Sequence, residues 1–339
     1  MNILAGRLGQ SREHPFLFLS KGRSLGFTVT NSMKRKRTKR ELMNEHHRVL
    51  QTGDRGTIKP KADFDAGDDA VALRKAIEGI GTTEKTLIDI LTHRSSAQRQ
   101  QICEAYQEAT GRTLLEDIEG DTGGDFEALL VALITPPAVY DCHEVMRAMK
   151  GVGTKDNVLI EIFASRSPEQ IRALNDCVKT MYFMFCFQGS RDESTTVDNE
   201  KAKEDAKTLY DAGEKKWGTD ESKFVDVLCQ RSIPQLRQTL VEYKNISGKT
   251  LQQSIEGEMS GELEELLVAI VKCVKSVPAY FAERLYQSMK GGGTDESTLN
   301  RIMVSRSEID LLDIRAEFKK LYEYSLHSAI EVRNSLLKT

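Results

Sequence analysis

One tryptophan, seven prolines and six cysteines are all that 339 residues contain of these types, and no two of the cysteines fall into a Cys-x-x-Cys pair. Cysteines scattered as Cys103, Cys142, Cys177, Cys186, Cys229 and Cys273 exclude a disulfide framework and fit reduced core residues of an intracellular protein. No apolar run approaches the ~20 residues that a membrane-spanning helix needs. PFLFLS at 15–20 is short and lacks a cleavage region, so no secretory signal is expected. The net charge of −3 gives no ground for polyanion binding, and nucleic acid is not an expected partner. HExxH, GxSxG and a paired Cys/His arrangement are missing as well, so the expectation is that the protein is not an enzyme.

What is present is a repeat. EGIGTTEKTLIDILTHRSSAQRQ from Glu78, KGVGTKDNVLIEIFASRSPEQIR from Lys150, KKWGTDESKFVDVLCQRSIPQLR from Lys215 and KGGGTDESTLNRIMVSRSEIDLL from Lys290 are four copies of one pattern. Aligned on Gly79, Gly151, Lys216 and Gly291 they stand 72, 65 and 75 residues apart, the period of a small helical unit. Leu87, Ile88, Ile90 and Leu91 predict one apolar helical face, as do Leu159, Ile160, Ile162 and Phe163. The Gly-x-Gly ends one helix, and Thr82, Thr154, Thr219 or Thr294 is placed to cap the next. Ser95 with Gln98, Ser167 with Gln170 and Ser232 with Gln235 read as capping boxes, with Pro168 at a first helical position and Ser307 with Asp310 as a weaker version. With no strand alternation or Asn-Gly hairpin, the fold class is all-α.

The glycine loop leaves two readings open. It is a tight helix-to-helix turn, or it is part of a binding site. A phosphate loop is excluded, because no strand precedes it and no Gly-Lys-Ser/Thr follows. The second reading gains from EGDTGGDFEALLVAL at 119–133 and EGEMSGELEELLVAI at 256–270, where an acid precedes a Gly-containing turn that opens an apolar helix. Asp121 lies 44 residues after Ile77, and Glu258 lies 45 after Gly213. Calcium takes about six to eight hard oxygen ligands, which glycine-rich carbonyls and a carboxylate from a second loop can begin to supply. Water or a lipid phosphate oxygen would fill the rest. A linear EF-hand loop is absent.

Taken together, the four Gly-x-Gly-Thr loops, the Arg-Ser dipeptides and the downstream Asp/Glu-x-x-Gly turns resemble the annexin family from about Arg55 to about Ile330. The resemblance implies a curved disc of four helical repeats with calcium loops on its convex face. It carries calcium to the carbonyls of Ile77, Gly79 and Gly81 with the carboxylate of Asp121, and to Gly213, Lys216 and Gly218 with Glu258. Trp217, at the tip of the third loop, is expected either in the lipid interface or packed in a core gap. Glu84 is expected either to hold an accessory ion or to complement the dipole of its helix.

Two repeats depart from the pattern. Met149, Gly151 and Gly153 offer carbonyls without an identifiable acid; Glu193 has the spacing but sits in an apparent linker. Met289, Gly291 and Gly293 do the same in the fourth copy, where Arg333 stands at the acid's position and would oppose calcium. Repeats 2 and 4 are therefore expected to lack their last helix or helices, with Tyr182, Phe183, Phe185 and Phe187 patching an apolar face or leaving it exposed. The expected organisation is a basic leader at 1–54 and repeats at 64–135, 136–188, 197–271 and 274–339. MKRKRTKR at 33–40 reads as a solvated tail, or as a nuclear or acidic-lipid patch through Lys34 to Arg40; Met33 is an alternative start. The expected function is calcium-dependent, non-catalytic binding of phosphatidylserine-like acidic membranes from the cytoplasm, inhibiting phospholipase A2 by masking substrate. The alternative is a calcium-independent protein scaffold.

Overall fold

The computed structural model describes residues 55–78, 82–150, 154–174, 191–214 and 219–336. The leader, Gly79 and Gly81, Gly151 and Gly153, the aromatic cluster at 182–187, and Lys216, Trp217 and Gly218 lie outside the described residues. Among those described, the regular elements are all α-helices.

The first copy forms α1 (Ala66–Ile77), α2 (Glu84–Leu91), α3 (Ser96–Thr110), α4 (Leu114–Asp121) and α5 (Gly124–Ile134). The second forms α6 (Pro137–Met149), α7 (Asp156–Ser165) and α8 (Pro168–Leu174). The third repeats the five-helix order as α9 (Asn199–Ala212), α10 (Glu221–Gln230), α11 (Ile233–Ser247), α12 (Leu251–Glu258) and α13 (Glu262–Lys275). The fourth gives α14 (Val277–Ser288), α15 (Glu296–Arg306), α16 (Leu311–Tyr322) and α17 (Leu326–Leu336). The expected loss of the second copy's last helices falls on residues 175–190, outside the described residues; residues 191–198 form no regular element.

Helix starts follow the local chemistry. Ser95 and Gln98 make the reciprocal capping box, and Gln98 also binds the backbone of Lys61 on both sides of its amide. Ser167 and Gln170 exchange the same two bonds. Ser232 caps Gln235, but that amide turns to the backbone of Asp198 instead of returning to Ser232, so the third box is only half made. Ser307 is not a start: α15 runs up to it, and Asp310 pairs with Arg306 at 2.6 Å instead of completing a box. The threonines of the Gly-x-Gly-Thr loops are not caps either. Thr83, Lys155, Asp220 and Asp295, one residue later, precede the helices, which frees the threonine hydroxyls for other work.

Each copy has its own apolar core, built around Leu73, Leu87 and Ile102 in the first, Val145, Ile162 and Phe163 in the second, Leu209, Phe224 and Leu236 in the third, and Phe281, Ile302 and Phe318 in the fourth. The arginine of the Arg-Ser dipeptide staples three of them. Arg94 binds Asp69 at 2.6 and 2.8 Å, Arg166 binds Asp141 at 2.7 and 2.8 Å, and Arg231 binds Asp205 at 2.7 and 3.0 Å, each carboxylate coming from the copy's first helix. In the fourth copy Phe281 stands on that helix, and the Arg306 guanidinium lies over its ring, 4.9 Å from the centroid.

The copies interlock. α5 packs on α15, with Val304 against the first core, and α7 packs on α13, with Ile160 and Ala164 against Ala269 and Cys273. That cover decides one detail of the apolar faces. Ile160 is 8% exposed, whereas Ile88, its counterpart on α2, is 42% exposed and departs from the buried face expected of it. A polar cluster joins the second and fourth copies: Arg301, with no exposed side chain, binds Glu161 at 2.8 and 3.0 Å and Glu144 at 3.2 Å. Residues 55–58 tie the first copy to the fourth. The N–H of Thr57 donates to the Ser307 carbonyl at 2.7 Å, and a Cβ on Gly56 would stand 2.4 Å from the Glu308 backbone.

Candidate metal centre

The four loops are pinned at the base in the same way. The N–H of Thr83 donates to the Ala76 carbonyl, Lys155 to Ala148, Asp220 to Ala212 and Asp295 to Ser288, at 2.7 to 2.9 Å. The third is longer by one residue, which matches the extra residue between Gly213 and Glu258. Of the predicted carbonyl donors, Ile77 is the last residue of α1 and is buried, and Gly213 follows the end of α9. Gly213 is packed so closely that an added Cβ would meet the Phe224 ring at 3.2 Å. Glu84 opens α2 from an exposed position.

The two predicted acids each end a helix. Asp121 is the final residue of α4 and Glu258 the final residue of α12, both exposed. A helix end leaves its last carbonyls without intrahelical donors. The Thr82 hydroxyl donates to the Asp121 carbonyl at 3.2 Å, and the Thr219 hydroxyl donates to the Glu258 carbonyl at 3.2 Å. The glycine loop and the acidic turn are thus joined twice by the same bond. Sequence reasoning missed these two threonines because helix capping explained them equally well.

Glu214 supports the third loop from below. Lys249 reaches its carboxylate at 2.9 Å and the Ser254 hydroxyl donates to it at 2.9 Å, and the Lys249 bond holds Glu214 below the usual carboxylate range. In the second copy Met149 ends α6, and Glu193 pairs with Arg172 at 2.8 Å, so that acid has another partner.

The fourth loop is described throughout. Met289 is buried, and Gly291 has φ +102°, a conformation that suits glycine. Arg333 reaches two of the three predicted carbonyls: one of its terminal nitrogens donates to Gly291 at 2.7 Å and the other to Met289. Here the Thr294 hydroxyl is buried without a partner, unlike Thr82 and Thr219.

Among the described residues no cluster of three or more His, Cys, Asp or Glu side chains could hold a metal. The donor set expected in the first and third copies, carbonyls plus a single carboxylate, would be all hard oxygens, which fits calcium and not a soft-ligand metal. Desolvation pushes the Cys103 and Cys229 thiols up to about 11 and Cys273 up to about 12, which disfavours the thiolate form that a soft metal takes. No helix among the described residues is long and apolar enough to cross a membrane.

A family model described as Annexin matches residues 68–133, 140–183, 204–270 and 280–335. Annexin A3 of Bos taurus is 52% identical over 301 residues, which is 83% of this chain and 93% of that protein. The structure of annexin III superposes with a TM-score of 0.80 at 52% identity, over 83% of this chain and 93% of that one. Calcium-bound annexin (Sm)1 superposes with a TM-score of 0.72 at 33% identity, over 82% and 89%.

Proposed function

The chain belongs to the annexin family, and from that premise we propose that it is a peripheral, non-catalytic protein that binds acidic phospholipid surfaces when calcium is present. The observation that supports the reading is the pair of equivalent ties, Thr82 to Asp121 and Thr219 to Glu258, which join the threonine after each glycine loop to the backbone of an exposed acid.

In this reading Ile77, Gly79, Gly81 and Asp121 hold one ion, and Gly213, Lys216, Gly218 and Glu258 hold another. Bound calcium would join those oxygens to phosphate oxygens of the lipid, so that metal and membrane strengthen each other's binding. The base bonds to Ala76 and Ala212 fix where each loop begins, and the threonines fix its distance from the acid. Trp217 takes the lipid-facing tip of the third loop. Two ions on one folded body act together, so their combined hold on a vesicle exceeds either alone. Repeats at 64–135, 136–188, 197–271 and 274–339, a cytoplasmic site of action at the inner membrane surface, and phospholipase A2 inhibition by covering substrate belong to the same reading.

Co-sedimentation with phosphatidylserine vesicles tests it. Binding is expected in calcium, lost in chelator, and abolished at the same calcium when Asp121 and Glu258 are both changed to Ala. Undiminished binding by the double variant removes these acids from the site, and binding without calcium removes the mechanism.

A further inference from the structure

The fourth loop does not fit calcium, and the reason lies in the chain itself. We infer that Arg333 is a built-in cation that takes the metal's place on the Met289 and Gly291 carbonyls, holding this loop formed without calcium and closing it to the ion.

Three observations converge. The guanidinium donates to Met289 and Gly291, two of the three carbonyls that the repeat pattern assigns to a metal. A guanidinium offers five N–H donors and no acceptor, so toward carbonyl oxygens it does what a bound cation does, in a fixed planar arrangement. Second, the local backbone differs from the metal-competent copies. Asp121 and Glu258 end their helices, whereas α17 continues three residues beyond Arg333 to Leu336. The position that should present a carbonyl to the loop threonine therefore lies inside a helix. Third, the Thr294 hydroxyl is buried and unpartnered, as expected when that carbonyl is withdrawn. A calcium ion entering here would have to displace the guanidinium from both carbonyls and would still find an arginine at 333, where the first and third copies have an acid.

The metal's role in the other loops rests on the function proposed above, and the experiment separates the two. Hydrogen–deuterium exchange of the full chain is followed at residues 77–83, 213–219 and 289–295, in chelator and in saturating calcium. In the unaltered protein calcium slows exchange at the first two segments and leaves 289–295 unchanged. R333A speeds exchange at 289–295 about tenfold in chelator, the scale of losing charge-assisted bonds that hold a loop closed, with the other segments unaffected. R333E does the same in chelator, and calcium then reverses it, because a carboxylate replaces the blocking charge.

Calcium protection of 289–295 in the unaltered protein overturns the inference, as does an R333A loop that exchanges at the original rate. An R333E loop that loosens but gains no calcium response reduces Arg333 to a structural tie and overturns its role as the metal's substitute. Absence of a calcium response at 77–83 and 213–219 counts against the proposed function, while the comparison in chelator still decides the role of Arg333.

Discussion

The Thr82 hydroxyl donates to the carbonyl of Asp121 across 39 residues of chain, at 3.2 Å. A glycine loop and an acidic turn are distant in sequence and belong to different helix junctions, yet this bond sets them side by side. Thr219 and Glu258 repeat it in the third copy.

Removing these hydroxyls while keeping side-chain shape isolates their contribution. T82V with T219V is expected to raise the calcium needed for half-maximal vesicle binding by up to about tenfold per site, from a net hydrogen-bond worth of roughly 0.5–1.5 kcal/mol. T294V serves as the control. That hydroxyl has no partner, so the calcium midpoint is expected to stay put and the Tm to hold or rise. An unchanged midpoint in the double variant would show that the ties do not position the acids.

Stability between the second and fourth copies is expected to depend on Arg301. Its guanidinium is fully buried between Glu161 and Glu144, and truncation would leave these buried carboxylates with only Arg284 at 3.2 Å on Glu161 and Arg147 at 3.0 Å on Glu144. Urea unfolding of R301A should show a loss of about 3–5 kcal/mol. A loss below ~1 kcal/mol would mean that Arg284 and Arg147 suffice to hold the two acids.

Acid is expected to loosen the start of α15. Burial alone would raise the Asp295 pKa, but the backbone and hydroxyl bonds from Thr298, with Arg301 and Arg284 nearby, bring it below the ordinary value. A lowered folded-state pKa means that the cap's contribution is complete above the unfolded value of about 4 and disappears as pH falls through the lower folded one. Protection of the amides near Thr298, taken relative to the intrinsic exchange rate at each pH, should therefore fall below about pH 4, and D295N should flatten that dependence. A D295N profile identical to the unaltered one would place the acid sensitivity elsewhere.

Much of this was legible in the sequence because a repeat states its own rules four times. Four Gly-x-Gly-Thr loops between apolar helical faces located the helix junctions, and the spacing of Asp121 from Ile77 and of Glu258 from Gly213 located the acids at helix ends. What escaped depended on competition between equally good local partners. A threonine before a helix reads as a cap, and only the folded chain shows Thr82 and Thr219 turned toward carbonyls 39 residues away. Gln235 had a capping partner in sequence and a better one in the backbone of Asp198. Ile88 and Ile160 occupy equivalent positions, and their different exposure depends on whether a helix from another copy arrives, which periodicity cannot encode. Arg333 was legible as a charge of the wrong sign, but not as a donor to two particular carbonyls.

The most direct test of calcium-dependent membrane binding uses the single tryptophan, Trp217, as the reporter. Its fluorescence is titrated with calcium in the absence and presence of phosphatidylserine vesicles. The account predicts a blue-shifted, enhanced emission that requires both calcium and vesicles and is reversed by chelator, as an indole enters the lipid interface. A titration that stays flat with vesicles present, or a vesicle-induced shift that persists in chelator, would contradict it.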